Sequence, residues 1–270
     1  MMKNIISCST HCYNKFSFER ALEGIAGVGI EYVEIGAIPG HCEHVRPELL
    51  NKEEMLEVKR KIEQYGLKPS SISGHCDLTT QKGVELFKKR IDFAYNIGVN
   101  IINTAEGHVK SDEEEESFFC NIREISKYLE ERCITACLET HGGILGTSKD
   151  LRRTLERIGS ERVKVNYDPA NLIYFVGKRP EDDIIEIVEH IGHFHIKDKL
   201  EGQGVWNFPA VGDGYIDFDL IFDVLYKNNY EGPLSFEIEF VEKGPDTPEE
   251  VDQALAKSCE HIKRIMESKK

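Results

Sequence analysis

The chain has 270 residues, of which 40% are hydrophobic and 30% charged, and its formal net charge is −14 at pH 7. This composition is typical of a soluble globular protein, and the length suits a single α/β barrel of roughly 250 residues. Nucleic-acid binding usually requires a basic surface, so the negative net charge argues against that function. A small anionic substrate remains compatible with a negative net charge. No window approaches the roughly 18 apolar residues of a membrane span.

The eight cysteines are irregularly spaced and form no Cys-x-x-Cys pair. The apolar run within residues 1–7 is much shorter than the roughly 7–15 residues of a signal-peptide core. We therefore expect reduced thiols and a cytoplasmic protein rather than a secreted protein with a disulfide framework.

Predicted strands and helices alternate along the whole chain. The strands are predicted at residues 3–9, 31–35, 68–75, 99–104, 134–139, 163–168, 191–198 and 233–240. Helices at 82–96, 147–158, 180–189 and 217–228 lie between them, and four more are predicted to begin after the capping residues Ser17, Asn51, Ser111 and Thr247.

Eight strand–helix units with no linker between them predict a closed (β/α)8 TIM barrel, formed by residues 1–270 as a single domain. The alternative is an open doubly wound sheet. That fold would require a Gly-rich phosphate turn after an early strand, and the first turn, residues 9–14, has no glycine.

Four consecutive predicted strands end in side chains that bind metals. Alternate residues of these strands are apolar and are predicted to face the helices, so the intervening positions face the barrel interior. The inward positions at the mouth are Glu139, Asp168, His195 and Glu237, and one layer deeper are Cys137, Asn166, His193 and Ser235.

Three carboxylates this close together would repel one another by several kcal/mol at an effective dielectric near 20. A divalent cation would remove that repulsion, and oxygen ligands with one imidazole suit Mn²⁺, Mg²⁺ or Co²⁺, with Zn²⁺ as a further option. The alternative is four unrelated ion-pairing groups, which their common register makes the weaker interpretation. We therefore expect one divalent metal ion.

Five segments resemble the xylose isomerase-like barrel superfamily. They are Leu138-Glu-Thr-His-Gly-Gly143, Val165-Asn-Tyr-Asp-Pro-Ala-Asn171, His193-Phe-His-Ile-Lys-Asp198, Val211-Gly-Asp-Gly-Tyr-Ile-Asp217 and Gly232-Pro-Leu-Ser-Phe-Glu237. They are most similar to the sugar (phosphate) isomerase/epimerase branch, which includes ketose 3-epimerases, hydroxypyruvate isomerase and inosose dehydratase. The resemblance covers nearly the whole chain.

The resemblance implies that the metal ligands are Glu139, Asp168, His195 and Glu237, and that Glu139 and Glu237 also form the acid/base pair. It further implies a homodimer or homotetramer. Epimerases of free ketoses have a histidine three residues after the strand-six aspartate and an arginine six residues after the ligand histidine. This chain has Asn171 and Glu201 at those positions, which argues against a ketose 3-epimerase.

Such a site predicts proton transfer next to a carbonyl group. A cation bound by neighbouring hydroxyl and carbonyl oxygens acidifies the C–H bond and stabilises a cis-enediolate, and carboxylates remove and return the proton. We therefore predict an isomerase or epimerase of a sugar, sugar phosphate or keto acid. Loss of a β-hydroxyl from the same enediolate would instead make the protein a dehydratase or carbon–oxygen lyase on a keto-sugar or inosose.

Further polar residues near the strand ends are candidate substrate ligands. They are His75, Glu106, His108, His141, Asn171, Lys197 and Trp206. The histidines and Glu106 could instead form structural hydrogen bonds. Lys197 could instead form an ion pair with Asp198 or Glu239, and Trp206 could be part of the core. The loop with His41, Cys42 and His44 has no standard zinc spacing, so we expect it to be solvent-exposed.

Two other functions are weaker predictions. The endonuclease IV enzymes of the same superfamily are phosphodiesterases that use three zinc ions and extra histidines, one of them three residues after the strand-six aspartate. This chain has Asn171 there, and Gly212-Asp-Gly214 where those enzymes have Asp-x-His. A catalytically silent binding barrel is the second, but the four-ligand set is complete.

Overall fold

The computed structural model describes residues 4–107 and 109–269 of the chain. Eight parallel strands form a closed barrel in the order β1-β2-β3-β4-β5-β6-β7-β9. Their bounds are Ile6–Ser9 (β1), Tyr32–Gly36 (β2), Lys68–Ser73 (β3), Ile101–Thr104 (β4), Thr135–Glu139 (β5), Val163–Tyr167 (β6), Ile191–Ile196 (β7) and Leu234–Phe236 (β9). Since β1 pairs with both β2 and β9, the predicted TIM barrel is confirmed.

Helices surround the barrel, and the predicted caps begin four of them. The helices are Phe18–Gly27 (α1), Lys52–Gln64 (α2), Gln81–Ile97 (α3), Asp112–Arg132 (α4), Ser148–Ile158 (α5), Pro169–Val176 (α6), Pro180–Asp183 (α7), Phe218–Lys227 (α8) and Pro248–Ser268 (α9). Ser17, Asn51, Ser111 and Thr247 each accept a hydrogen bond from a backbone N–H in the first turn. Within the described ranges no helix is long and apolar enough to cross a membrane.

The prediction of one helix over 180–189 is wrong. The α-helical part ends at Asp183, and two 3-10 turns, Ile184–Glu186 and Val188–His190, lead into β7. Asp183 is buried because its carboxylate accepts hydrogen bonds from the backbone N–H and the hydroxyl of Ser148, which ties this segment to α5. The apolar side chains of Ile184, Ile187 and Val188 are buried in this irregular segment.

Helix α6 was not predicted, although its signals are present in the sequence. Asp168 caps it, Pro169 occupies the first helical position, and Gly177 ends it with a φ of +75°. This helix begins directly at the barrel mouth and therefore fixes the Asp168 carboxylate there.

Three of the predicted strands are at least two residues shorter than expected at their C-terminal ends, and the first of them, β3, stops at Ser73. Strand β7 stops at Ile196 and β9 at Phe236. Downstream of each, a short segment forms an antiparallel pair, Asn207–Phe208 (β8) with Phe240–Val241 (β10). This ribbon folds the long loop after β7 back towards the barrel mouth.

The barrel interior is polar, whereas the helix-facing side is apolar. The inner positions hold buried Ser7, Ser9, Glu34, Ser71, Ser73, Asn103, Asn166, His193, His195 and Ser235. TIM barrels usually fill this space with branched aliphatic side chains. Buried polar groups are costly unless they are paired, so this interior must be a hydrogen-bonded network that supports the groups at the mouth.

Candidate active site

The four predicted metal ligands meet at the mouth of the barrel. The Nδ1 atom of His195 lies 2.8 Å from a Glu139 oxygen, 3.4 Å from a Glu237 oxygen and 3.6 Å from Oδ2 of Asp168. All four side chains are buried, and one ligand atom from each lies within 4.8 Å of all the others. The structure thus brings the four residues into one site.

The geometry of this site fits a divalent cation. Ligands about 2.1 Å from one octahedral ion lie roughly 3 Å apart, which matches the distances around His195. Asp168 supports this, since its Oδ1 accepts the backbone N–H groups of Ala170 and Asn171 at 2.9 Å, while its buried Oδ2 has no hydrogen-bond partner in the part of the chain that the structure describes. A carboxylate oxygen buried in this way has a free lone pair available for a metal.

Glu34 is a site residue that the sequence interpretation missed. Its buried carboxylate lies 3.2 Å from Nε2 of His195 and accepts a 2.8 Å hydrogen bond from the Asn103 amide. Because Glu34 binds Nε2–H, Nδ1 of His195 faces the three carboxylates at the mouth. The signal was a charged residue in the middle of a predicted strand, between Val33 and Ile35.

His193 lies one layer below His195, as predicted. Its Nδ1 lies 2.9 Å from the Asn166 side-chain oxygen and its Nε2 lies 3.0 Å from the Ser71 hydroxyl. Burial lowers the pKa of His193 to about 4. A neutral imidazole with both ring nitrogens in contact with polar side chains supports the strands of the barrel rather than the mouth.

His11 was also missed, and Glu239 was considered only as an ion-pair partner of Lys197. Nδ1 of His11 lies 3.1 Å from a Glu237 oxygen, and its Nε2 lies 3.4 Å from Oε1 of Glu239. The sequence signal was position: His11 follows β1 directly, and Glu239 lies two residues after Glu237, which places both at the mouth.

The loop that carries His41, Cys42 and His44 is only partly exposed. His41 is 45% exposed and its Nε2 lies 3.7 Å from Oε1 of Glu239. The expectation of an exposed loop is wrong for Cys42, which is buried, and for His44, whose Nδ1 lies 3.5 Å from the Cys42 sulfur. The loop folds inwards because it packs against the segment between β1 and α1, where Nε2 of His44 contacts the Phe16 carbonyl.

A cavity of about 660 Å³ opens above the four ligands. Among the residues lining it are Glu139, Glu237 and five predicted substrate ligands, His75, His141, Asn171, Lys197 and Trp206. This volume is in the range of small-molecule sites.

The cavity combines aromatic walls with polar groups. Nε2 of His75 lies 2.6 Å from a Glu139 oxygen, so this histidine contacts a candidate metal ligand directly. The ring of His141 stacks on Phe175 at 4.2 Å, and Trp206 packs edge-on against Tyr174. Apolar walls with a few oriented polar groups are typical of a carbohydrate-sized ligand site.

Lys197 is buried among carboxylates. Its Nζ donates to Glu237 at 3.0 Å and to the Asn171 side chain at 3.2 Å, and it also pairs with Glu239. Burial alone would lower the pKa of Lys197, but Asp168 and the two glutamates raise it well above its ordinary value. The ammonium group therefore stays charged.

Of the two ion pairs considered for Lys197, the structure has the one with Glu239. The Asp198 carboxylate instead accepts backbone N–H groups of Gly212 and Gly214, at 2.8 and 3.0 Å. Asp198 thus holds the loop after β7 in place.

Glu106 lies beside the cavity, between two residues that line it, Ala105 and Gly107. Its side chain is buried, its Oε2 has no hydrogen-bond partner within residues 4–107 and 109–269, and burial raises its pKa to about 7. The predicted substrate residue His108 lies outside the described residues.

Glu139 and Glu237 are both ionised in this environment. Burial would raise the pKa of Glu139, but the His195 charge outweighs that effect and lowers it below the ordinary range. The same balance holds the pKa of Glu237 well below its ordinary value, with Lys197 contributing after His195. Both carboxylates therefore offer lone pairs to a cation or a proton.

The family model described as xylose isomerase-like TIM barrel matches residues 22–265. The chain belongs to this family. It is 25% identical to an inosose dehydratase from Clostridium botulinum (strain Alaska E43 / Type E3), and the match covers 83% of this chain and 82% of the relative.

Solved structures show the same fold at lower sequence identity. A xylose isomerase-like TIM barrel protein from Mycobacterium smegmatis in complex with magnesium has a TM-score of 0.78 at 17% identity, covering 97% of this chain and 96% of its own. The D-allulose 3-epimerase of a Methylomonas species in complex with D-allulose has a TM-score of 0.75 at 18% identity, covering 98% of both chains.

Proposed function

We propose that this protein is a divalent-metal-dependent enzyme that isomerises or epimerises a small sugar, sugar phosphate or keto acid through a cis-enediolate. The observation that carries the proposal is the set of three buried carboxylates around Nδ1 of His195, two of which, Glu139 and Glu237, line the 660 Å³ cavity. The names of the relatives, sugar epimerases and inosose dehydratases, support a carbohydrate substrate.

Glu139, Asp168, His195 and Glu237 would hold the metal ion, and Mn²⁺, Mg²⁺ or Co²⁺ suit this donor set best. When bound, the ion supplies Lewis-acid chemistry that acidifies the substrate C–H bond next to a carbonyl. Magnesium is present in the related Mycobacterium smegmatis structure, which supports a divalent ion of this class.

Glu139 and Glu237 would remove and return the proton. In the strand order β5-β6-β7-β9 they come from opposite sides of His195, so a substrate in the cavity would meet one carboxylate from each side. His75, at 2.6 Å from Glu139, would pass the proton onwards, and His11, at 3.1 Å from Glu237, would orient that carboxylate. Two acid/base groups on different sides suit a reaction in which a proton leaves and returns at different positions.

Lys197 and Trp206 would bind the rest of the substrate. The charged Lys197 ammonium lies at the cavity wall, where it would neutralise negative charge on a substrate oxygen, carboxylate or phosphate. Trp206, with Phe175, would cover the apolar side of the substrate and limit access of water.

Dehydration of a keto-sugar or inosose is the second candidate function. It requires an acid that protonates the leaving hydroxyl, and Glu106, with a pKa of about 7, would be protonated in part of the molecules at neutral pH. The inosose dehydratase relative and Asn171, in place of the histidine of ketose epimerases, favour dehydration as well.

A cytoplasmic location, a homodimer or homotetramer and the lack of nucleic-acid binding remain predictions.

A substrate screen in D₂O tests the proposal. The Mn²⁺-loaded protein is incubated with ketoses, aldoses, inososes and their phosphates, and each mixture is followed by NMR and mass spectrometry. An isomerase or epimerase incorporates carbon-bound deuterium without loss of water, whereas a dehydratase yields a product that has lost one water molecule.

Glu237→Gln should abolish the exchange, while Glu242→Gln should retain it, since Glu242 is exposed beyond the mouth. Exchange at an unchanged rate in the Glu237→Gln protein would overturn the acid/base assignment.

A further inference from the structure

A second group of metal-ligand side chains lies at the rim of the cavity. We call His11, His41 and Glu239 the rim cluster. Oε1 of Glu239 lies 3.4 Å from Nε2 of His11 and 3.7 Å from Nε2 of His41, and the two imidazole rings are 4.4 Å apart at 79°. All three residues line the cavity.

The spacing of the rim cluster matches the ligand spacing of a zinc ion. Ligands about 2.0–2.1 Å from a tetrahedral Zn²⁺ lie roughly 3.3 Å apart. Two histidines and one glutamate form a known type of zinc ligand set, in which the fourth position stays open. Here the open position would face the cavity, because all three residues line it.

An unpartnered nitrogen gives independent support. His11 is 5% exposed, and its Nδ1 lies 3.1 Å from a Glu237 oxygen, which places the ring proton on Nδ1. Nε2 is then left with a lone pair that points at Glu239, and among the described residues it has no hydrogen-bond partner. A lone pair that faces a carboxylate oxygen at 3.4 Å is unfavourable unless a metal ion or a proton lies between them.

The mouth also carries an excess of negative charge. Five buried carboxylates belong to one connected network: Glu34, Glu139, Asp168, Glu237 and Glu239. Lys197 neutralises only one of these charges, so the network favours cations at the mouth.

We propose that the rim cluster binds a second divalent cation of the zinc class, through Nε2 of His11, Nε2 of His41 and Oε1 of Glu239. The hydrogen bond between His11 and Glu237 would couple this ion to the four-ligand site. The inference does not depend on the reaction that the enzyme catalyses.

A proton on Nε2 of His11 is the competing occupant. Burial lowers the pKa of His11, but the hydrogen bond to Glu237 and the charge of Glu239 outweigh it and raise the pKa to about 9. Metal binding would displace this proton, as it does at other histidine ligands. The stoichiometry of metal binding separates the two arrangements.

Zinc titration of the metal-stripped full chain, followed by calorimetry and elemental analysis, tests the proposal. The wild-type chain should bind two Zn²⁺ per chain, and His41→Ala should bind one. His41 is partly exposed, so its removal should leave the fold intact. His190→Ala is the matched control, because His190 is 40% exposed, contacts Glu189 and lies before β7, and this variant should still bind two.

Co²⁺ in place of Zn²⁺ gives a spectroscopic test. The absorption bands of tetrahedral cobalt should appear with the second equivalent and be absent in His41→Ala. A wild-type stoichiometry of one would show that a proton fills the gap and would overturn the proposal. A second equivalent that persists in His41→Ala would place that ion elsewhere and would overturn it equally.

Discussion

Replacement of Glu34 by glutamine should weaken metal binding although Glu34 is not a predicted ligand. Glu34 has two carboxylate oxygens, and between them they accept hydrogen bonds from Asn103 and from Nε2–H of His195. Glutamine has one oxygen. If it faces Asn103, the amide NH₂ faces His195, and the imidazole must move its proton to Nδ1 to avoid two opposing donors.

The magnitude follows from this change of tautomer. A proton on Nδ1 of His195 removes the lone pair that faces Glu139, Asp168 and Glu237. Moving the proton back to Nε2 restores this lone pair, but the N–H of the imidazole then faces the amide NH₂ of the introduced glutamine. Loss of a partner behind a metal-binding histidine typically costs 10–100-fold in affinity, which corresponds to about 1.4–2.8 kcal/mol. We expect the dissociation constant for Mn²⁺ to rise by this factor.

Isothermal titration of the metal-stripped chain with Mn²⁺ measures the effect. Glu31→Gln is the matched control, because it removes the same charge from an exposed position just before β2 and should leave the dissociation constant unchanged. Affinity in Glu34→Gln within about twofold of the wild type would refute the role of Glu34 in orienting His195.

Two further predictions concern stability. Glu106 has a pKa raised by burial from 4.5 to about 7, so the folded chain binds more protons than the unfolded chain in this interval, and its stability falls as pH rises through it. Glu106→Gln should remove this pH-dependent loss, which is up to about 3 kcal/mol in the free energy of unfolding. Urea titrations should therefore show that the unfolding free energy of the variant rises relative to that of the wild type at pH 8 but not at pH 4. Lys197→Met leaves the buried carboxylates without their ammonium partner and should lower the unfolding free energy of the metal-free chain by about 3–5 kcal/mol.

Each of these variants has an internal comparison. The Glu106 effect would be contradicted by an equal stability difference from the wild type at both pH values, which would indicate a packing change instead of ionisation. For Lys197, the control is Lys164→Met, whose side chain is exposed near the start of β6, and it is expected to change stability by less than about 0.5 kcal/mol. Equal losses in the two lysine variants would contradict the proposed charge compensation.

The barrel and the convergence of the four candidate ligands could be predicted because both depend on local periodicity. The alternation of strands and helices determines the fold class, and alternate residues at strand ends indicate which side chains point inwards. Glu139, Asp168, His195 and Glu237 all obey this rule, and their convergence follows directly from closing the barrel.

The missed residues depend on tertiary contacts that periodicity does not describe. Glu34 has a role only because β2 closes onto the same interior as β7, and His41 only because its loop folds over Glu239. The break in the 180–189 helix has a similar cause, since the contact between Asp183 and Ser148 joins segments distant in sequence. Such contacts compete with local helix propensity and can override it.

The dependence of carbon–hydrogen exchange on a divalent metal ion directly tests the proposed metal-dependent proton transfer. The chain is stripped of metal, incubated in D₂O with a substrate found in the screen, and followed by NMR before and after addition of Mn²⁺. We predict no exchange in the stripped chain and recovery of exchange on addition of Mn²⁺. Asp168→Asn should show no recovery, because it loses the unpartnered carboxylate oxygen of Asp168 at the site. Full exchange without any divalent ion would contradict a metal-dependent reaction.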